Sequence, residues 1–188
     1  FVDGALKGYV FGFPTREADV QHSHRLAVHP DQRGGGLGLK LKWHQRDWCL
    51  KRDIRLVRWT FDPMRHVNAN LNIGRLGAVC STLHEDFYGV MGGINAGAPS
   101  DRLLADWHVG TERVAAFAAG ATPVSGPGLE RVHIGKDYER LLADAPERAV
   151  SEKLRVRAEM KRLFADGFSV CGYDAGAGDY LLSNGRSA

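Results

Sequence analysis

The sequence predicts a mixed α/β fold in which helices flank a sheet containing a parallel βαβ unit. Three observations carry this reading. His24 to Trp48 (HRLAVHPDQRGGGLGLKLKWHQRDW) is a short apolar run with β character, then a turn dense in glycine, then a helical pattern. Ile54 to Phe61 (IRLVRWTF) is a second strand, closed by Asp62-Pro63, and two strands joined by a helix make a right-handed βαβ unit. Phe168 to Tyr173 and Tyr180 to Ser183, joined by DAGAG, read as a closing hairpin.

The remaining elements follow in chain order. Leu6 to Phe13 (LKGYVFGF), bounded by Gly4 and Pro14, is a strand and reads as the second half of a hairpin starting near Phe1. Thr15 to Gln21 is polar loop, and His22 to Val28 is the next strand. The helix runs from Leu37 to Lys51. Its Leu37, Leu41, His44 and Trp48 recur at helical spacing and are expected to face the sheet, with Lys40, Lys42, Arg46 and Lys51 solvated. Trp43, Trp48, Trp59 and Trp107 are expected in the core. Asn68 to Leu83 is a second helical pattern with Leu71, Leu76, Val79 and Leu83 as apolar positions and Asn68 as its N-cap. Glu85 to Ser100 is a long glycine-rich loop, a feature often tied to function. Arg102 to Val109 is a strand, Ala118 to Gly128 a loose connection, Arg131 to Ile134 a strand and Asp137 to Asp144 a short helix. Pro146 to Asp166 is a long helix, with proline at its start and Gly167 just past its end.

Composition narrows the class. The 188 residues are enough for one domain with a sizeable core, and 44% apolar with 25% charged residues is ordinary for a globular protein. A net charge of +3 is too small to argue for nucleic acid and does not oppose an anionic ligand. Cys49, Cys80 and Cys171 are an odd, widely spaced set without ligand spacing, which argues against disulfides and metal and for a reduced, cytoplasmic setting. No apolar run reaches membrane-spanning length. The first residue is Phe1 rather than Met, so further chain is expected to precede it.

The glycine turn carries the chemistry. In Arg33-Gly34-Gly35-Gly36-Leu37-Gly38, glycines permit left-handed backbone and let a phosphate approach without meeting Cβ atoms. The helix that opens next adds unpaired N–H groups and the positive end of its dipole. A P-loop is excluded because no Lys-Ser or Lys-Thr follows, and the dinucleotide fingerprint fails at Leu39.

The stretch resembles the acyl-CoA-binding motif of the GNAT superfamily, N-acyltransferases that use acetyl-CoA. The family signature is Arg/Gln-x-x-Gly-x-Gly/Ala between a strand and a helix; here it falls on Arg33, Gly36 and Gly38, after Leu26-x-Val28-x-Pro30. Ile54–Phe61 looks like the family's next strand, and Asn68 to Ala78, ending Leu76-Gly77-Ala78, like its following helix. The run WTFDP…NANLNIGRLGA…FYG is similar to a poorly characterised group of predicted acetyltransferases.

The resemblance implies a central mixed, mostly antiparallel sheet with a parallel βαβ acyl-CoA-binding unit, flanked by helices. It implies a single domain over residues 1–188, with the core likeness over about 6–109 and a helix-and-hairpin region over 118–188. The family's first elements would precede Phe1, and a neighbouring copy in a homodimer would complete the sheet if they are absent. The implied activity is transfer of an acetyl group from acetyl-CoA to a primary amine by direct attack, with no metal, nucleic acid or membrane involved. Backbone amides of Arg33, Gly34, Gly35, Gly36, Leu37 and Gly38 would hold the CoA pyrophosphate. The pantetheine arm would lie where the Leu26–Ala27–Val28 strand splays from Ile54–Phe61, and N–H groups near Ala27 or Val28 would polarise the thioester carbonyl.

Candidate bases are His24, whose residue type suits proton transfer near neutrality, and Asp62 at the end of the neighbouring strand. Asn68 is a candidate CoA contact as well as a cap. The tyrosine that many members use as acid is absent, since Ile73 stands near its position; Tyr88 is the substitute. The alternatives are a non-catalytic acyl-CoA-binding module, or an acyltransferase with a longer acyl donor or a hydroxyl acceptor.

Overall fold

The computed structural model describes residues 1–89, 99–121, 126 and 128–185. Its strands are β1 (Gly8–Pro14), β2 (Val20–Val28), β3 (Leu56–Phe61), β4 (Val79–His84), β5 (Arg102–His108), β6 (Glu130–His133), β7 (Ser169–Asp174) and β8 (Asp179–Ser183). Its helices are α1 (Leu37–Leu50), α2 (His66–Ala69), α3 (Glu112–Ala118), α4 (Tyr138–Asp144) and α5 (Pro146–Ala165). The strands bond in the order β1-β2-β3-β5-β4-β7-β8-β6. Pairs β1–β2, β4–β7, β6–β8 and β7–β8 are antiparallel, and β2–β3 is parallel. The result is a mixed α/β architecture with a mostly antiparallel sheet, as the sequence predicts. The chain forms two compact units, Phe1–Trp59 with Asp106–Ala121, and Thr60–Ala105 with Thr122–Ala188.

In the first unit, β1 does not close a hairpin begun at Phe1. Val2 and Ala5 form only an isolated bridge around Asp3 and Gly4, both at positive φ, and the antiparallel partner of β1 is β2. Their register shifts once: Phe11 lies opposite Arg25 and Gly12 opposite Ser23, so His24 is the extra residue of a bulge. Helix α1 packs on β1 and β2. A Cβ on Gly8 would come within 3.1 and 3.2 Å of Leu41 and Leu37, so these two leucines lean on β1 as expected.

Further along α1 the expected face is wrong. His44 is exposed and Trp48 is 40% exposed, with the Arg52 guanidinium 4.1 Å from its ring centre. The buried stripe is Lys42, Gln45 and Cys49. Two of those side chains are polar, so hydrophobic periodicity points away from the face that is inside. Helix α3 is an addition to the sequence reading. Its signal is Thr111 followed by Glu112: the threonine hydroxyl accepts from the Val114 N–H at 3.4 Å and caps the helix.

In the second unit, the expected helix over Asn68 to Leu83 is really a helix and then a strand. Helix α2 starts at His66, continues as a π-helical turn over Asn70–Arg75, and stops at Gly77, whose φ is 71°. The N-cap is Arg65, so Asn68 lies inside the helix. Val79 and Leu83 belong to β4, where left-handed Gly77 and a β-favouring run override the helical spacing. The core holds Tyr173 and Tyr180 on the closing hairpin. The Tyr180 hydroxyl donates to the Pro63 carbonyl at 2.8 Å, and the Tyr173 hydroxyl bonds His66 Nδ1 at 2.8 Å. Helix α5 buries Ala149, Lys153, Val156, Met160 and Leu163 at helical spacing. Its Arg157 bonds Asp101 through two nitrogens, at 2.9 and 2.5 Å.

Residues 90–98 of the expected Glu85–Ser100 loop, and 122–125 and 127 of the Ala118–Gly128 connection, lie outside the described residues. Among the described residues no helix is long and apolar enough to cross a membrane. None of the three cysteines is in a disulfide.

Candidate functional site

The turn between β2 and α1 joins left-handed backbone to an uncapped helix start. Pro30–Gln32 makes one 3-10 turn, and Arg33 then returns to extended backbone with φ −69° and ψ 148°. Gly34 and Gly36 have φ of 80° and 78°, the left-handed region where a side chain is strained. A Cβ added at either would meet nothing within 4 Å, so backbone angle, not crowding, requires glycine there. Gly38 is different: it lets α1 sit on Leu26 and Val28, whose methyls lie 3.6 Å from where its Cβ would be.

Gly36 is the N-cap of α1 and no side chain caps the helix. The first helical bond runs from the Lys40 N–H to Gly36 O at 3.1 Å. Leu37, Gly38 and Leu39 therefore have N–H groups with no acceptor in the helix, beside the positive end of its dipole. Cations surround the turn: Lys40 is exposed in the first turn of α1, and Arg33 reaches back to the Val28 carbonyl at 3.4 Å. Asp31, the acid of the preceding 3-10 turn, is engaged by His29 at 2.6 Å and by Lys7. Those bonds, Lys7's first, hold its carboxyl below the usual range. Arg33, Gly34, Gly35, Gly36, Leu37 and Gly38 form one continuous turn that runs into α1.

Strand β2 supplies a second feature. It pairs with β3 only over Val20–His22 against Leu56–Arg58, so Ser23 to Val28 continue with no β3 partner. On its other edge β2 is paired with β1, where the His29 N–H donates to Lys7 O at 2.8 Å. Alternation along an antiparallel ladder then turns the Ala27 N–H toward β1 and the Leu26 and Val28 N–H groups toward the open edge. Of the expected pair Ala27 and Val28, it is Val28 whose N–H turns toward that edge. His24 sits at the bulge, its ring among Phe11, Phe13 and His22. Burial, then the neighbouring His24, lowers the pKa of His22.

Sequence reasoning missed Lys42. Its amine is buried, with the side chain 3% exposed. It donates to Gln45 Oε1 at 2.8 Å and to Ser23 Oγ at 3.2 Å, and lies 3.7 Å from the centre of the Trp59 ring and 5.0 Å from that of Trp107. Gln45 in turn donates to Gln21 at 2.6 Å. Burial brings the Lys42 amine down to about 7. Nothing in the local pattern marks this lysine; a basic residue on a surface helix normally reads as solvated.

The remaining candidates lie in the second unit. Asp62 accepts the Met64 N–H at 2.9 Å and the buried Lys153 amine at 2.9 Å, so both its oxygens are engaged. Replacing Asp62 with alanine is expected to cost about 3 kcal/mol, because it strands the Lys153 charge. Urea denaturation checks this, and a loss below about 1 kcal/mol would show that the pair does not hold the unit together. Tyr88 is exposed, with the Arg102 guanidinium 4.9 Å from its ring centre. Asn68 is half-buried in α2. This unit also has an open cavity of about 450 Å³ whose lining includes Met64, Ile134, Tyr138, Lys136 and Arg148. Among the described residues no group of three or more His, Cys, Asp or Glu side chains gathers as a metal site.

No family model matches this chain, and no curated protein matches it significantly. Among solved structures it is similar to a candidate acetyltransferase of the GNAT family from Desulfovibrio desulfuricans, at 20% identity and a TM-score of 0.47. The likeness covers 58% of this chain and 65% of the other, so this chain spans a little under two thirds of that protein's length.

Proposed function

We propose that this protein is a CoA-dependent N-acyltransferase of the GNAT type, which moves an acetyl group from acetyl-CoA to a primary amine. The observation that carries the reading is the cradle: two left-handed glycines opening onto an uncapped helix start, directly after a strand with a free edge. A phosphate cradle alone suits many nucleotides. The free edge beside it is what suits a long amide-bearing arm, because extended amides bond a strand edge as another strand would.

In this reading the N–H groups from Gly34 to Leu39 hold the pyrophosphate, with Lys40 supplying charge. Leu26 and Val28 present N–H groups to the arm. Acetyl-CoA, when bound, supplies an activated thioester for attack by the amine. His24, the extra residue where β2 bulges against β1, takes the proton of the attacking amine. It is preferred over Asp62, whose oxygens already hold Lys153 and the Met64 N–H. His24→Ala is expected to lower turnover roughly 100-fold with acetyl-CoA affinity unchanged. Steady-state kinetics beside calorimetric binding checks this, and unchanged turnover would place the base elsewhere.

The overall reading is tested by titrating CoA and acetyl-CoA into the protein and then following thiol release with a panel of primary amines. Saturable binding and amine-dependent release support it. Binding without release from any amine would favour a non-catalytic acyl-CoA module, and no binding would overturn both.

A further inference from the structure

The open cavity of about 450 Å³ in the second unit is lined by the turn after β6, by α4 and by the first turns of α5. Its volume falls in the range of small-molecule sites. The buried part of its lining is apolar: Met64, Ile134 and Tyr138, with half-buried Leu141 beside them. Bonds within the unit fix that lining. The Tyr138 hydroxyl donates to the Ala149 carbonyl at 3.2 Å, the Ile134 N–H to the Gly178 carbonyl at 2.9 Å, and the Met64 N–H to Asp62 at 2.9 Å. The turn at Gly135 packs directly on Gly178, where a Cβ would come within 3.0 Å of its backbone.

The charged part of the lining is unbalanced. Arg148 lines the cavity from α5, and among the described residues it has no carboxylate partner. Every other cation of α5 has one: Lys153 has Asp62, Arg155 has Glu152 and Glu159, Arg157 has Asp101, Lys161 has Glu85 and Arg162 has Asp166. Lys136, exposed on the turn after β6, also lines the cavity and is likewise unpaired among the described residues. Two other lining groups are already engaged. His133 Nδ1 bonds Asp179 at 2.7 Å, and Glu152 accepts from Arg155 at 2.9 Å. Asp137 is the acid left over, so two free cations stand against one free carboxylate.

We propose that this cavity binds a small organic anion, an apolar body that carries one carboxylate or phosphate head. The body covers Met64, Ile134 and Tyr138 and removes that apolar surface from water. The head pairs with Arg148, whose planar guanidinium matches either oxyanion through two parallel hydrogen bonds, and Lys136 adds a second charge. The site shares no residue with the turn between β2 and α1, and it does not rest on the acyl-CoA reading.

The test uses naphthoate and naphthyl phosphate as anionic probes and naphthamide as their neutral match, each followed by amide-resolved NMR. At least one anion should bind saturably and move the N–H signals of Gly135, Lys136 and Ser151, and the tighter of the two identifies the head group. Naphthamide should bind at least about 10-fold more weakly. Arg148→Gln should weaken the anion about 10-fold or more, and Lys136→Gln by a smaller factor. Both positions are exposed, so the fold should survive, which circular dichroism checks. Gly36→Glu should leave this affinity unchanged. The proposal is overturned if neither anion saturates those signals, if naphthamide binds as tightly as the anions, or if neither cation variant weakens binding. Loss of anion binding in Gly36→Glu would also overturn it, by placing the probe at the glycine turn instead.

Discussion

Replacing Gly36 with glutamate is expected to lower CoA affinity at least about 100-fold while leaving the protein folded. Two effects act together. Gly36 sits at φ 78°, where a side chain costs about 1–2 kcal/mol, so the turn shifts or strains. The added carboxylate also stands at the N-terminus of α1, where it takes the uncapped N–H groups for itself and repels an anion. Space is not the issue, since nothing lies within 4 Å of the Cβ position. Gly36→Ala carries the backbone cost without the charge and should lose far less affinity. Calorimetric titration of both variants, with circular dichroism to establish folding, separates backbone from charge. A folded Gly36→Glu protein that binds CoA normally would refute the cradle.

Replacing Lys42 with methionine is expected to stabilise the protein at pH 7 by on the order of 3 kcal/mol. The amine is buried without a counter-charge, and burial takes it from 10.5 to about 7. At 1.36 kcal/mol per unit, a shift of this size amounts to about 5 kcal/mol. The two hydrogen bonds that the amine makes with Gln45 and Ser23, lost in the variant, offset about 2 of that. Methionine fills similar space, and Gln45 Oε1 keeps the Ser23 hydroxyl as a partner at 3.3 Å.

The sign with pH follows from the lowered value. Between about 7 and 10.5 the unfolded chain carries a proton on this amine that the folded chain has released, so raising pH through that window stabilises the wild type. Below about 7 both states carry it and the penalty is constant. The advantage of Lys42→Met should therefore be full at pH 7 and below, and shrink as pH rises toward 10. Chemical denaturation at several pH values reads this directly. A destabilised variant would mean that the amine's hydrogen bonds outweigh its burial.

How much of this was legible in the sequence depends on which physics governed each segment. The glycine turn was readable because glycine at Gly34 and Gly36 answers a backbone need that few other residues can meet, and such needs leave a local signature. The strands Ile54–Phe61 and Arg102–Val109, helix α5 and the closing hairpin were readable because alternation, terminal Pro and Gly, and turn chemistry agreed. Asn68 to Leu83 misled because leucines at helical spacing continued past Gly77, whose left-handed angle ends the helix. The buried face of α1 misled for the opposite reason: its inside is Lys42 and Gln45, satisfied by Ser23 and Gln21 from a strand some twenty residues earlier in the chain. Polar burial of that kind depends on tertiary partners and has no periodic signal. Where the pairing of β2 with β3 ends is likewise something that neither strand's own sequence encodes.

The most direct measurement of the central claim is an amide-resolved NMR titration of the protein with CoA. Binding at the cradle predicts that the backbone N–H signals of Gly34 to Leu39 move most, joined by Leu26 and Val28 on the open edge of β2, with saturation at a single affinity. Saturable binding that leaves those amides in place and moves others, or no binding at all, would contradict it.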